Sequence, residues 1–223
     1  MIQAVIFDLW GTLVDWPVDP SRALNERLRL ATPHGPAEFE RLFRDTYRRR
    51  ETGPLVDAYR LLGVREDVLE ELLDQRRENT RAALVPQEGA VETLVELRRR
   101  GYRLGMISVC TEEVPELWPE TPLHGLFDAE VFSATCGHMK PDAEIYLLAT
   151  RKLAVEPAAC LYVGDGANDE LAGAERVGMT SVLVHRDGEE PVWPELRDWA
   201  GPRVTSIPQV LDLIPNGTLT DGR

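Results

Sequence analysis

The chain has 223 residues, 43% of them hydrophobic and 28% charged, a balance that supports a packed core and excludes disorder over most of its length. Its 38 Asp and Glu outnumber 25 Lys and Arg, and the net charge of −13 excludes a nucleic-acid binder that relies on a general basic surface. The longest apolar stretches, such as residues 104–110, fall far short of the roughly 20 needed to span a bilayer, and Met1-Ile2-Gln3 lacks the basic flank of a signal peptide, so neither membrane anchoring nor export is expected.

The first element is a β-branched and aromatic run, Ala4-Val5-Ile6-Phe7, which stops at Asp8 ahead of Gly11-Thr12 and predicts a buried strand ending in a loop. From about residue 14 to 85 the chain offers helical patterns with no strand between them: 21–30, 37–50, 54–62 and 65–83. Turn chemistry marks both borders, Asp15-Trp16-Pro17-Val18-Asp19-Pro20 on one side and Val85-Pro86-Gln87-Glu88-Gly89 on the other. A helical insertion at 15–85, joined by two hinge-like crossings, is therefore expected. Arg48-Arg49-Arg50 falls at a helix end, where cations complement the helix dipole.

Beyond residue 85 strand and helix alternate. A helix at 90–100 with Val91, Leu94, Val95 and Leu97 on one face precedes a strand at 102–107 that stops at Ser108, and a strand at 129–132 stops at Ser133. A helix at 142–152 leads to a strand at 160–163 before Gly164-Asp165, and a helix at 168–177 leads to a strand at 180–184 before His185. Such alternation is the signature of βαβ units, hence an α/β fold with a Rossmann-like parallel sheet flanked by helices on both faces. After a Pro-, Gly- and acid-rich stretch come a short strand at 203–205, a helix at 208–213 and a tail at 215–223 expected to be mobile. The core is thus assigned to residues 1–14 and 86–214. Cys110, Cys136 and Cys160 are widely spaced and form no Cys-x-x-Cys pair, which points to reduced thiols in a cytoplasmic protein.

In an open parallel sheet, ligands bind outside the carboxyl ends of the strands, so polar residues there matter most. In chain order they are Asp8, Ser108, Ser133 and Asp165, with Asp169 one helical turn further on and Lys140 in the loop after the third strand. Two carboxylates held together in a crevice repel each other unless one is protonated or a cation sits between them, and Mg²⁺ is a cation suited to oxygen ligands. Each Asp singly is also explained as a cap of the following turn. Capping is the poorer account of the pair with its flanking glycines.

These residues carry a family resemblance. Asp8-Leu9-Trp10-Gly11-Thr12-Leu13, Ser108, Lys140 within His138-Met139-Lys140-Pro141-Asp142, and Gly164-Asp165-Gly166-Ala167-Asn168-Asp169 resemble the four ordered motifs of the haloacid dehalogenase-like hydrolase superfamily. The helical insertion sits where that family places a helical cap over the site. The resemblance implies Asp8 as nucleophile forming an aspartyl intermediate, and a Mg²⁺ site made by Asp8, the Trp10 carbonyl and Asp165, with Asp169 holding a metal-bound water or bracing the loop. It also implies a phosphate cradle from the loop of Trp10, Gly11 and Thr12, the Ser108 hydroxyl, the Val109 N–H and Lys140, and a small phosphorylated substrate. Nucleic acid and membrane are not implied partners.

The departure is Trp10. Phosphatases of the family carry a second Asp there, which protonates the leaving alcohol and then activates water, whereas an indole N–H donates only. Loss of such help typically removes about 10²- to 10⁴-fold in rate, most for poor leaving groups. The family's dehalogenases carry Tyr at that place and work without metal, so Trp10 resembles their pattern while the acidic fourth motif resembles that of phosphatases. A metal-dependent phosphate hydrolase is the preferred reading; a dehalogenase and a catalytically silent binding protein are its rivals. Glu112 is one acid near the site that could replace the missing one. Cys110 and His138 are read as a packed thiol and a solvent-facing loop residue.

Overall fold

Strand β1 is Ala4–Asp8, buried along its whole length. Val5 and Phe7 pack on one face of the sheet and Ala4 and Ile6 on the other, as the two-residue period of a strand requires. Burial on both faces is why the run reads as continuously apolar. A computed structural model describes residues 1–186, 196 and 199–214. The acid-rich stretch after His185 therefore lies largely outside the described residues, as do Trp193 and the tail at 215–223.

After β1 come five helices: α1 (Val18–Leu30), α2 (Pro36–Asp45), α3 (Tyr47–Thr52), α4 (Leu55–Leu61) and α5 (Glu66–Ala83). They enclose their own cluster, with Leu24, Leu28, Tyr59, Leu62 and Leu72 at its centre. The chain then runs through α6 (Ala90–Arg99), β2 (Arg103–Ser108), α7 (Glu113–Leu117), β3 (Ala129–Phe132), α8 (Ser133–Cys136) and α9 (Ala143–Leu153). It ends with β4 (Cys160–Gly164), α10 (Glu170–Arg176), β5 (Thr180–Val184), β6 (Arg203–Val204) and α11 (Val210–Leu213).

The sheet is six-stranded, in the order β3-β2-β1-β4-β5-β6, and every pairing is parallel. One face packs on Leu94 and Leu97 of α6, the other on Ile145, Tyr146 and Ala149 of α9. The Rossmann-like α/β expectation therefore holds. Strand order reverses at β1, whose neighbours β2 and β4 lie on opposite sides, and the crevice at that switch opens beyond the ends of β1 and β4. The two crossings to the helical segment meet each other: Val14 bridges Pro86 antiparallel, and the Gln87 N–H donates to the Leu13 carbonyl at 2.8 Å.

Two expected helices are revised. The single helix at 37–50 is two, broken at Thr46, whose hydroxyl donates back to the carbonyls of Leu42 (2.8 Å) and Phe43 (3.2 Å). Arg50 folds over the break, buried, with its guanidinium 3.6 Å above the Phe43 ring, and Arg48 reaches out to Asp142 at 2.7 Å. The arginine run thus serves particular contacts and not only the helix dipole. The helix expected at 168–177 begins at Glu170, because Asn168 and Asp169 both take left-handed backbone conformations.

Candidate active site

Asp8 ends β1 and Asp165 follows β4, so adjacent parallel strands deliver both carboxyls to the switch-point crevice. Glu170, fully buried in the first turn of α10, joins them, and carboxylate oxygens of the three lie within 4.8 Å of one another. Two glycines permit this approach. A Cβ at Gly11, where φ is +75°, would lie 2.3 Å from Asp165 Oδ2, and one at Gly164 would lie 2.1 Å from Glu170 Oε1. The Ala167 N–H fixes Asp165 Oδ1 at 2.9 Å, and the Gly166 N–H fixes Glu170 Oε1 at 2.9 Å.

Lys140, 2% exposed, donates to both Asp8 Oδ1 and Glu170 Oε2. It also lies 3.2 Å from the Tyr162 hydroxyl, which in turn donates to Glu170 Oε2 at 2.7 Å. Burial alone would depress the Lys140 ammonium, but Asp8 and Glu170 outweigh it and hold the group above its ordinary value. One ammonium does not balance three carboxylates. Burial, and then the charge of Glu170, push Asp8 from 3.8 up to about 7 against the pull of Lys140. Burial, Glu170 and Asp8 push Asp165 up to about 8.

That deficit is what a hard divalent cation would relieve, and the donors are the carboxylate oxygens such an ion takes. The residues present therefore fit Mg²⁺, which Asp8 and Asp165 could hold as acidic ligands. Glu170 already accepts from Lys140, Tyr162 and Gly166, which suits it to bracing the cluster. Asp169 is not brought into the cluster. Its left-handed backbone turns the exposed carboxylate to Arg176 at 3.1 Å, and Glu170 occupies the interior place instead.

Ser108 at the end of β2 and Thr12 in the loop after β1 are buried hydroxyls without a geometric hydrogen-bond partner among the described residues, the Cys110 thiol beside Ser108 being only a weak one. Orphaned buried hydroxyls cost stability unless something fills them, and an anion's oxygens would. Val109 follows Ser108 and is nearly buried. Trp10 stands edge-on to Trp16 with ring centroids 5.4 Å apart, and both line a narrow cleft of about 30 Å³ shared with Arg76, Glu51 and Val109. Glu112 accepts the Leu55 N–H at 3.0 Å, so it closes the N-terminus of α4. Cys110 is buried, and burial raises its thiol well above the ordinary range; His138 is exposed.

The helical pattern at 168–177 puts helix onset two residues early and the inward direction at Asp169, whereas the left-handed Asn168 and Asp169 hand it to Glu170. The signal available was the pair Asp169-Glu170 after a glycine-rich loop, only one of which can face inward.

A family model for haloacid dehalogenase-like hydrolases matches residues 2–178. Among curated proteins, the chain is similar to a glyceraldehyde 3-phosphate phosphatase of Methanothermobacter thermautotrophicus, 29% identical over 84% of this chain and 87% of that one. It is also similar to haloacid dehalogenase-like hydrolase domain-containing protein 3 of Mus musculus, 31% identical over 72% of this chain and 64% of that one. Solved structures of the same fold include a phosphatase from Thermococcus onnurineus, with TM-score 0.68 at 20% identity over 97% and 99% of the two chains. They also include a 2-haloacid dehalogenase from Pseudomonas syringae, with TM-score 0.65 at 24% identity over 96% and 98%. With its six-stranded parallel sheet and a family match across most of its length, the chain belongs to the haloacid dehalogenase-like hydrolases.

Proposed function

We propose that the chain is a cytoplasmic, Mg²⁺-dependent hydrolase of a small phosphorylated metabolite, with Asp8 as nucleophile and the helices of residues 15–85 as a cap over the site. The observation that carries this reading is the cluster of Asp8, Asp165 and Glu170, in which Lys140 pairs with Asp8 and Glu170 only, an anionic crevice short of positive charge. The names of the phosphatase relatives support phosphate chemistry. When bound, the metal offsets the charge of carboxylate and phosphate and lets the two approach.

The residues of the chain divide the work. Asp8 attacks phosphorus and forms an aspartyl phosphate, needing no base because a carboxylate is already a nucleophile. Lys140 neutralises Asp8 and orients the Oδ1 that it holds. Ser108, the Val109 N–H and the loop of Trp10, Gly11 and Thr12 bind the phosphoryl oxygens. Glu170 and Tyr162 keep Lys140 in place, and the cap excludes water. Trp10 offers no proton for the leaving group, so activated phosphates are favoured over ordinary alkyl esters unless another acid serves.

The same Trp10 favours the rival reading, metal-independent release of halide, which leaves without a proton. One assay separates the readings: an aryl phosphate, acetyl phosphate and a short 2-haloacid, each with Mg²⁺ and with chelator, beside Asp8→Asn. Metal-dependent phosphate release lost in Asp8→Asn is the expected result. Chelator-resistant halide release would establish the rival, and silence on every substrate would leave a binding protein.

A further inference from the structure

The cleft above Trp10 contains an acid that the motifs do not include. Among the described residues lining it, Glu51 alone bears a carboxyl group. Glu51 belongs to α3 of the helical segment, yet its backbone is tied to the core. Its carbonyl accepts a hydrogen bond from Ser133 Oγ at 2.6 Å, and the same Oγ accepts the Cys110 N–H at 2.9 Å. Ser133 thus fixes Glu51 to the loop that begins at Ser108. The Glu51 carboxyl itself makes no hydrogen bond and no ion pair among the described residues.

The cations nearby are committed elsewhere. Arg76 of α5 donates to Glu113 at 2.8 Å and Thr111 at 3.0 Å, and Arg50 is held by Phe43 and Thr46. These two guanidiniums and Glu113 are the charged groups that act on Glu51 most, and burial outweighs them, raising its carboxyl above the ordinary value. Glu51 shares its cleft with Trp10 and Val109, two members of the proposed phosphate-binding loops, and an unpaired, partly buried carboxyl there suits proton transfer, whereas a salt-bridged one does not.

We propose that Glu51 is the general acid and base of this enzyme, supplied by the helical segment in place of the Asp that Trp10 displaces. The inference rests on the phosphate-hydrolase reading above. As Asp8 Oδ bonds to phosphorus and the P–O bond to the leaving group breaks, the Glu51 proton passes to the departing oxygen. The resulting Glu51 carboxylate then takes a proton from water, whose oxygen attacks phosphorus and releases Asp8 and inorganic phosphate. Atoms and charges balance over the cycle, and Glu51 ends protonated. Ordinary alkyl phosphates therefore become substrates, despite Trp10.

The test compares wild type, Glu51→Gln and Glu51→Asp on 4-nitrophenyl phosphate and on glycerol phosphate, with Mg²⁺. In Glu51→Gln, turnover of glycerol phosphate should fall by about 10²- to 10⁴-fold. With 4-nitrophenyl phosphate the first step needs no acid, so this variant should release a nitrophenol burst equal to the enzyme present. It should then stall, with one phosphoryl group on Asp8 by intact mass. Glu51→Asp, with a shorter carboxyl, should restore continuous turnover on both and serves as the readout if Glu51→Gln does not fold. Equal loss on both substrates without a burst, or no loss at all, would overturn Glu51 and leave the hydrolase reading standing through the wild-type rate. A wild type silent on both would overturn the hydrolase reading and the inference together.

Discussion

Lys140 illustrates how one side chain sets the state of its neighbours. Its ammonium is buried and divided between Asp8 and Glu170, so removing it strands two carboxyls in a site that has already lost water. Breaking one side of a buried ion pair typically costs about 3–5 kcal/mol. Lys140→Ala should lower unfolding stability by that order in urea melts, in addition to abolishing turnover. Trp10 tests the opposite case, a missing group. Trp10→Asp restores a carboxyl two residues after the nucleophile; with Glu51 already supplying the proton, kcat on glycerol phosphate should change little in the wild type and rise in a Glu51→Gln background. No rise in that background would show that proton transfer at that position is not limiting.

Local backbone conformation decided which side chains entered the site. Asp8, Ser108 and Asp165 were legible in the sequence because buried parallel strands read as unbroken apolar runs and stop at a polar residue. Glu170 and Glu51 were not legible, for different reasons. Glu170 turns inward only because Asn168 and Asp169 are left-handed, and no periodicity encodes that. Glu51 reaches the cleft only because Thr46 breaks a helix whose apolar pattern runs on, and because Ser133 on a distant strand end grips the new helix. Gly164 carries the same dependence on close approach. Gly164→Ala would push a methyl group against Glu170 Oε1, and shifts of that kind in packed sites cost about 1–3 kcal/mol. The variant should melt at a lower temperature and bind Mg²⁺ more weakly, both measurable by thermal scans with and without the ion.

The molecule joins two separately packed units. The helical segment has its own apolar cluster, and its seam with the core includes polar pairs: Arg48 with Asp142, Arg76 with Glu113, Arg77 with Glu116 and Arg81 with Glu120. The parallel strands and the run of helices between the first two of them could be read from the sequence. The seam could not, since it pairs residues far apart in the chain that look like ordinary surface charges. In the core itself, Asp8, Asp165 and Glu170 carry more negative charge than the single Lys140 ammonium offsets. Asp8 and Asp165 titrate near 7 and 8 when no cation is bound, above their ordinary 3.8. Over that interval the folded chain retains protons that the unfolded chain has released, so the stability of metal-free protein falls as pH rises through it. A cation competes with those protons. The gain in melting temperature on adding Mg²⁺ should therefore be larger near pH 8 than near pH 6.

The most direct measurement is Mg²⁺ binding by titration calorimetry to wild type, Asp8→Asn and Asp165→Asn. The charge-deficient crevice between β1 and β4 predicts one saturable site in the wild type, lost or greatly weakened in both variants. Absence of binding to the wild type, or equal binding by all three proteins, would contradict it.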